Sequence, residues 1–188
     1  MKVSKLIAIV TVLLVLMSCG GAISKESPNK KGFETIEKEL KNKFGDKAYY
    51  TDVTVTYNKS IGNIIGVTVA KAPESLKMGQ WNNTQGKWRQ NSEITIEVPL
   101  GFKPIDFMFQ LNDAISLSKL GELVEVSIEK LKAQKSIKNP ALSLASIKFP
   151  KDGDASKTEY LVMLQPENGG TTFTFRYQLK GDLIGMDY

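Results

Sequence analysis

Two tryptophans on either side of a short polar segment are the residues best suited to binding chemistry. Trp81 and Trp88 flank a segment rich in Asn and Gln, and Lys87 and Arg89 lie beside the second tryptophan. An aromatic surface edged by amides and cations can stack on a sugar ring and hydrogen-bond to its hydroxyls. The same two rings can instead form a cross-strand pair that fixes hairpin register, worth about 0.2–1 kcal/mol. We favour this packing interpretation over the glycan site.

A basic stretch that contains no acid is the second candidate site. It holds the patch Lys130, Lys132, Lys135 and Lys138, followed by Lys148 and Lys151. Such lysines could bind anionic lipid head groups or acidic polysaccharide, each contributing about 1 kcal/mol near a membrane surface. Lysines at the end of a helix also complement the helix dipole and keep the surface solvated, and this second interpretation is favoured.

The composition leaves few routes to catalysis. The chain has no histidine and one cysteine, which excludes Ser-His-Asp and Cys-His systems and the usual zinc sites. Ser116 with Lys119, and Ser127 with Lys130, match the S-x-x-K spacing of serine acyltransferases, but the accompanying S-D-N and K-T-G elements are absent. The sequence therefore predicts a protein that is not an enzyme and that has no metal site and no cofactor.

The N-terminus has the layout of a secretory signal. Lys2 and Lys5 precede a twelve-residue run, Leu6 to Met17, that is apolar apart from Thr11, and small residues follow it. As a helix the run is about 18 Å long, whereas a bilayer-spanning helix needs about 20 residues. The run is therefore too short to serve as a transmembrane helix.

The end of this run, Leu16-Met17-Ser18-Cys19, resembles the lipobox of bacterial lipoproteins. The resemblance implies that residues 1–18 are a signal peptide, that Cys19 becomes the first mature residue, and that its sulfur carries a diacylglycerol. Acyl chains such as palmitate stabilise membrane attachment by about 0.8 kcal/mol per buried methylene. Gly20 stands where an acidic residue would retain a lipoprotein in the inner membrane. A cell-envelope location is expected, at the outer membrane if the host is Gram-negative.

Charge argues against a nucleic-acid partner. The full chain of 188 residues has a formal net charge of +5, which falls to +3 without residues 1–18 because these carry two lysines and no acid. Export makes nucleic acid less accessible still. The expected partners are the membrane through Cys19 and an envelope protein or a glycan.

Two amphipathic helices are predicted downstream of a tether. Residues 19–32 read as the lipidated cysteine and a flexible linker rich in Gly, Ser and Lys. Phe33, Ile36, Leu40 and Phe44 recur at helical spacing, and a second helix follows Ser118 as its expected N-cap.

Strand patterns surround these helices. They lie at 49–57, 64–70, 88–98, 105–111, 144–149, 160–164 and 172–179, with a short partner near Trp81. The order helix then strands, occurring twice, predicts an α+β domain over 33–188, with two possible halves at 33–111 and 117–188. We expect an antiparallel sheet with both helices packed on one face. The predicted function is a non-catalytic, lipid-anchored binding or accessory module; the alternative is a small carbohydrate-binding or carbohydrate-active module that uses the tryptophan hairpin.

Overall fold

The chain folds as an antiparallel sheet with two helices, seen in a computed structural model that describes residues 23–135, 137–150 and 152–188. The α+β class predicted from the sequence is confirmed, with strands as the larger part. The predicted signal peptide and Cys19 lie outside the described residues. Among the described helices, none combines the length and the apolar character needed to cross a bilayer.

Within the described residues, eight strands form one sheet in the order β4-β3-β2-β1-β5-β6-β7-β8, with every neighbouring pair antiparallel. The strands are β1 Tyr49–Asn58, β2 Gly62–Ala70, β3 Lys77–Thr84, β4 Lys87–Thr95, β5 Pro140–Lys148, β6 Glu159–Pro166, β7 Phe173–Gln178 and β8 Leu183–Asp187. The first strand after each helix is central, so β1 and β5 join the two halves and β4 and β8 are the edges.

The helices are α1, Lys30–Phe44, and α2, Leu117–Lys135. The side chain of Asn29 caps α1 by accepting a hydrogen bond from the Gly32 N–H at 2.9 Å. The sequence predicts Ser118 as the N-cap of α2, but the helix begins at Leu117, two residues earlier than that cap implies. The Ser116 hydroxyl accepts from the Lys119 N–H at 3.2 Å, three residues along the chain, as N-cap geometry requires.

The two helices contact each other and share one hydrophobic core with the sheet. Fully buried residues of α1 and α2 pack with alternate residues of the central strands, such as Val53 and Val162. A carboxylate of α1 also binds the first residue of α2, because Glu37 Oε2 accepts a hydrogen bond from the Leu117 N–H at 2.7 Å. This contact places a negative charge at the positive end of the α2 dipole.

Residues 23–29 are packed, although the sequence predicts them as part of a flexible tether. Ile23 is 2% exposed and joins the core, and the Asn63 amide donates to the carbonyl oxygens of Ile23 at 2.9 Å and Glu26 at 2.8 Å. The folded unit therefore begins before residue 33. Ile23 and Ser24 are the buried residues of this segment, and Asn63 of β2 supplies hydrogen bonds to its backbone.

The strand predicted at 105–111 is wrong. Residues Pro104–Phe107 form a 3-10 helix, and only Phe109 pairs with β1, through two hydrogen bonds to Tyr50 of 2.7 and 2.8 Å. Met108 and Phe109 are both buried, but in two different hydrophobic clusters. The edge strand β8 is present in the structure and was not predicted from the sequence.

Candidate functional site

The tryptophan hairpin exists, and its rings pack against helix α1. Phe44 contacts Trp81 and Trp88 edge-on, with ring centroids 5.6 and 5.2 Å apart. The Trp88 indole N–H donates to Glu39 at 3.1 Å, and Lys43 lies over the Trp81 ring at 5.1 Å. Both rings are half-buried, so these contacts support the packing interpretation rather than an open stacking platform.

The cations predicted to edge these rings lie on the other side of the sheet. Lys87 and Arg89 precede and follow Trp88 on β4, so strand alternation turns their side chains away from the indole. Arg89 is paired in register with Asn82, and both are exposed. The cation that approaches an indole is Lys43 from α1, which no local pattern around the hairpin could have revealed.

The lysines of the predicted basic patch make separate contacts. Lys132 forms an ion pair with Glu129 at 2.8 Å, and Lys135 lies over the Tyr188 ring at 4.0 Å. Lys130 is half-buried and Lys138 is exposed beyond the helix end. Lys148 lies elsewhere, at the end of β5, and Lys151 lies outside the described residues.

The two Ser-Lys pairs are engaged in other contacts. Lys119 Nζ binds Glu122 at 2.8 Å instead of the Ser116 hydroxyl. Ser127 is fully buried, donates to the Leu123 carbonyl at 2.7 Å, and shares a 2.7 Å hydrogen bond with the Tyr177 hydroxyl. Burial raises the pKa of Tyr177. Among the described residues, neither serine hydroxyl has a hydrogen bond to a lysine amine, the contact on which a Ser-Lys dyad depends.

The sheet face opposite the helices, called the open face below, carries the side chains that alternate with the core residues. Its centre is polar: Thr54 of β1 lies between Gly66 of β2 and Ser146 of β5, and Asp52 lies between Thr68 and Lys148. One end of this face is covered by the segment 96–107, where Ala70, Met78 and Met108 form a small second cluster with Ile96.

A groove of about 670 Å³ lies between this covering segment and the ends of β1 and β5. Its lining is apolar along most of its length and includes Ile96, Pro99, Phe107, Phe149 and Pro150. The lining also contains three charged residues, Asp52, Glu97 and Lys148. This volume and this composition are those of a small-molecule cleft.

Asp52 lies where the groove meets a second, polar depression of about 250 Å³. Its carboxylate is half-buried, and burial raises its pKa. Within the described chain it makes no hydrogen bond or ion pair, although Lys148 is its register partner on β5. A half-buried carboxylate without a counter-ion is the most unusual charge on this face.

Gly66 forms the floor of the polar depression. A Cβ at this position would lie 2.7 Å from the Thr54 hydroxyl oxygen and 3.4 Å from the Asn82 amide oxygen. The depression is therefore open because residue 66 has no side chain. Around it lie hydroxyl and amide groups of Thr54, Thr68, Gln80 and Asn82.

The exposed turn 99–102 borders the groove. The Phe102 N–H donates to the Pro99 carbonyl at 3.1 Å, and Gly101 has a φ of +93°, which favours glycine. This turn presents Leu100, which is fully exposed, and Phe102, whose ring contacts Phe107 at 5.7 Å. Sequence reasoning missed the groove because its walls come from three separate parts of the chain.

Comparisons of this chain with protein-family models, with curated proteins and with solved structures found no match.

Proposed function

We propose that this chain is a non-catalytic, lipid-anchored protein of the cell envelope that binds a partner through the open face of its sheet. The observation that carries the proposal is the unpaired, half-buried Asp52 between an apolar groove and a polar depression. A binding surface combines apolar area with a few converging polar groups, and these two concavities meet at one carboxylate. The lipobox-like sequence that ends at Cys19 supplies the anchoring half of the proposal.

The open face is better suited to binding a partner than the tryptophan hairpin is. Both indoles contact Phe44, and the Trp88 N–H is occupied by Glu39. A sugar stacked on either ring would have to displace part of this packing. The groove and the depression need no such displacement, because both are open to solvent.

The anchor is tested by fractionation and mass spectrometry. Wild-type protein expressed in a lipoprotein-processing bacterium should lack residues 1–18, carry acyl chains on residue 19 and sediment with membranes. Cys19→Ala should abolish the acyl mass and the processing at that site. A wild-type protein that is processed without any added lipid would overturn the anchoring claim.

Binding through the open face is tested by site-specific photocrosslinking in intact cells. A benzoylphenylalanine at Thr54, on the open face, is compared with one at Lys38, an exposed residue of α1. We expect a discrete crosslinked product from Thr54 and none from Lys38. Equal products from both positions, or none from Thr54 and from a further open-face position at Thr56, would contradict the proposal.

A further inference from the structure

The net charge of the groove on the open face is opposite in sign to that of the chain as a whole. Asp52 and Glu97 place two carboxylates along it against the single ammonium of Lys148. The chain as a whole, in contrast, has a formal net charge of +5, or +3 without residues 1–18. A local excess of negative charge next to apolar walls selects for ligands that combine a positive charge with an apolar body.

Asp52 is the charged group for which a ligand would supply the missing hydrogen-bond donor and counter-ion. Its carboxylate is shielded from solvent on the side of the sheet, and Lys148 makes no ion pair with it within the described chain. An ionised carboxylate accepts hydrogen bonds only, so the group it lacks is a donor, and a cationic donor also neutralises its charge.

The apolar part of the groove determines the other end of the ligand. Phe107, Phe149 and Pro150 line it together with Ile96 and Pro99, and the volume of about 670 Å³ lies in the range of small-molecule clefts. The polar depression continues beyond Asp52, where Thr54, Thr68 and Asn82 offer hydroxyl and amide groups to a head group.

We propose that the groove binds a small amphipathic amine, with its ammonium group at Asp52 and its hydrocarbon body against Phe107 and Phe149. This inference rests on the proposed binding role of the open face and names the class of ligand. The ammonium would donate to the Asp52 carboxylate, and the apolar body would cover surface that is now in contact with water.

The test uses three probes with the same eight-carbon body and different heads, which are octylamine, octanol and octanoate. Binding of each to the folded, purified protein is measured by calorimetry at pH 7, below the critical micelle concentrations. We expect octylamine to bind about tenfold more tightly than octanol, since hydrogen bonds to charged groups contribute about 1.5–3 kcal/mol. Octanoate should bind most weakly, because it would place a second anion next to Asp52.

Two variants, each with a control variant, distinguish the contribution of the ligand's head group from that of its hydrocarbon body. Asp52→Asn should lower the affinity for octylamine roughly tenfold and leave that for octanol within about twofold. Asp46→Asn, a change at an exposed aspartate beyond α1, is the matched control and should change neither affinity. Phe107→Ala should weaken octylamine and octanol together; Phe107→Leu, which keeps an apolar side chain, should weaken them less.

Three outcomes would overturn the inference. They are tighter binding of octanoate than of octylamine, equal effects of Asp52→Asn and Asp46→Asn, and no measurable binding of any probe to a protein with a cooperative thermal transition. These results are independent of the Thr54 crosslinking experiment. A Thr54 crosslink without probe binding would keep the open face as a binding surface and remove the amine as its ligand.

Discussion

The two halves of the sheet have the same order of elements but different interiors. In the N-terminal half, four buried polar atoms lack a hydrogen-bond partner in the described structure: the Tyr50 hydroxyl, Asn63 Oδ1 and both polar atoms of the Asn83 side chain. In the C-terminal half, the Tyr160 hydroxyl accepts from the Ser116 N–H at 2.9 Å and the Tyr177 hydroxyl is bonded to Ser127.

Strands β3 and β7 occupy matching places in their halves and show this difference most clearly. β7 buries three aromatic residues, Phe173, Phe175 and Tyr177. β3 buries Met78 and Asn83, and its tryptophan remains half-buried. An unpaired buried amide costs about 1–3 kcal/mol. The N-terminal half, whose residues form the whole lining of the polar depression, is therefore also the half whose interior contains the less favourable buried groups. The groove, in contrast, is lined by residues of both halves, such as Asp52 and Lys148.

The largest expected effect is a core truncation in β7. Phe175→Ala should lower the free energy of unfolding by about 3–5 kcal/mol, because Phe175 is fully buried and stacks on Tyr177 with centroids 6.4 Å apart. Met78→Ala in β3 should cost about 2 kcal/mol, since Met78 belongs to the smaller cluster. Urea unfolding followed by circular dichroism measures both, and equal losses would show that the two interiors are equally stable.

Removing the partner of a buried hydroxyl tests the C-terminal half. Ser127→Ala should lower the free energy of unfolding by about 2 kcal/mol, because it leaves the Tyr177 hydroxyl buried and unpaired. In the double variant Ser127→Ala/Tyr177→Phe, which removes both partners, part of this loss should be recovered. A neutral Ser127→Ala would show that the hydrogen bond contributes nothing to the stability of this half.

At Asn83 we expect a substitution to raise the free energy of unfolding instead of lowering it. Asn83→Leu should raise the free energy of unfolding by about 1–2 kcal/mol, because it replaces a fully buried, unpaired amide with an apolar side chain of similar size. Asn82→Leu, at the exposed neighbouring position, is the control and should change stability by no more than about 0.5 kcal/mol. Destabilisation by Asn83→Leu alone would mean that the amide is satisfied in solution.

The smallest effect concerns Asp52 and depends on pH. Burial raises its pKa in the folded state above the value of about 3.9 in the unfolded chain, so its charge destabilises the fold at neutral pH. This destabilisation disappears as the pH falls through the folded pKa towards the unfolded one. Asp52→Asn should therefore be more stable than wild type at pH 7, by no more than about 1 kcal/mol, and equal to it at pH 3.

Urea midpoints at the two pH values check the Asp52 prediction, again with Asp46→Asn as the control. A difference between Asp52→Asn and wild type that persists at pH 3 would assign the effect to packing rather than to charge.

The sequence predicts those elements whose burial follows from local spacing. Phe33, Ile36 and Leu40 lie on one face of any helix, and β1 and β7 alternate as half-buried strands do. The alternation at 105–111 led to a wrong strand prediction, because Met108 and Phe109 are buried in two clusters on different sides of β1. Strand β8 has only five residues, with Gly185 among them, so it gives little signal.

The candidate site depends on long-range contacts. The groove at Asp52 exists because β5 lies beside β1 and the segment 96–107 lies against the end of the sheet. No local pattern around residue 52 contains that information. The tryptophans were identified from the sequence, but their contact with Phe44 depends on the docking of α1.

The position of Ile23 has a mechanical consequence. Its carbonyl binds Asn63 next to the β1–β2 turn, whereas Asp52 lies six residues before the end of β1, roughly 20 Å away along the strand. A pull between the N-terminal segment and Lys148, the register partner of Asp52 on β5, would therefore run parallel to β1 and β5. The hydrogen bonds of an antiparallel pair are perpendicular to its strands, so such a force loads them in shear and all together. The join between the two halves would resist this load as a unit instead of opening one bond at a time.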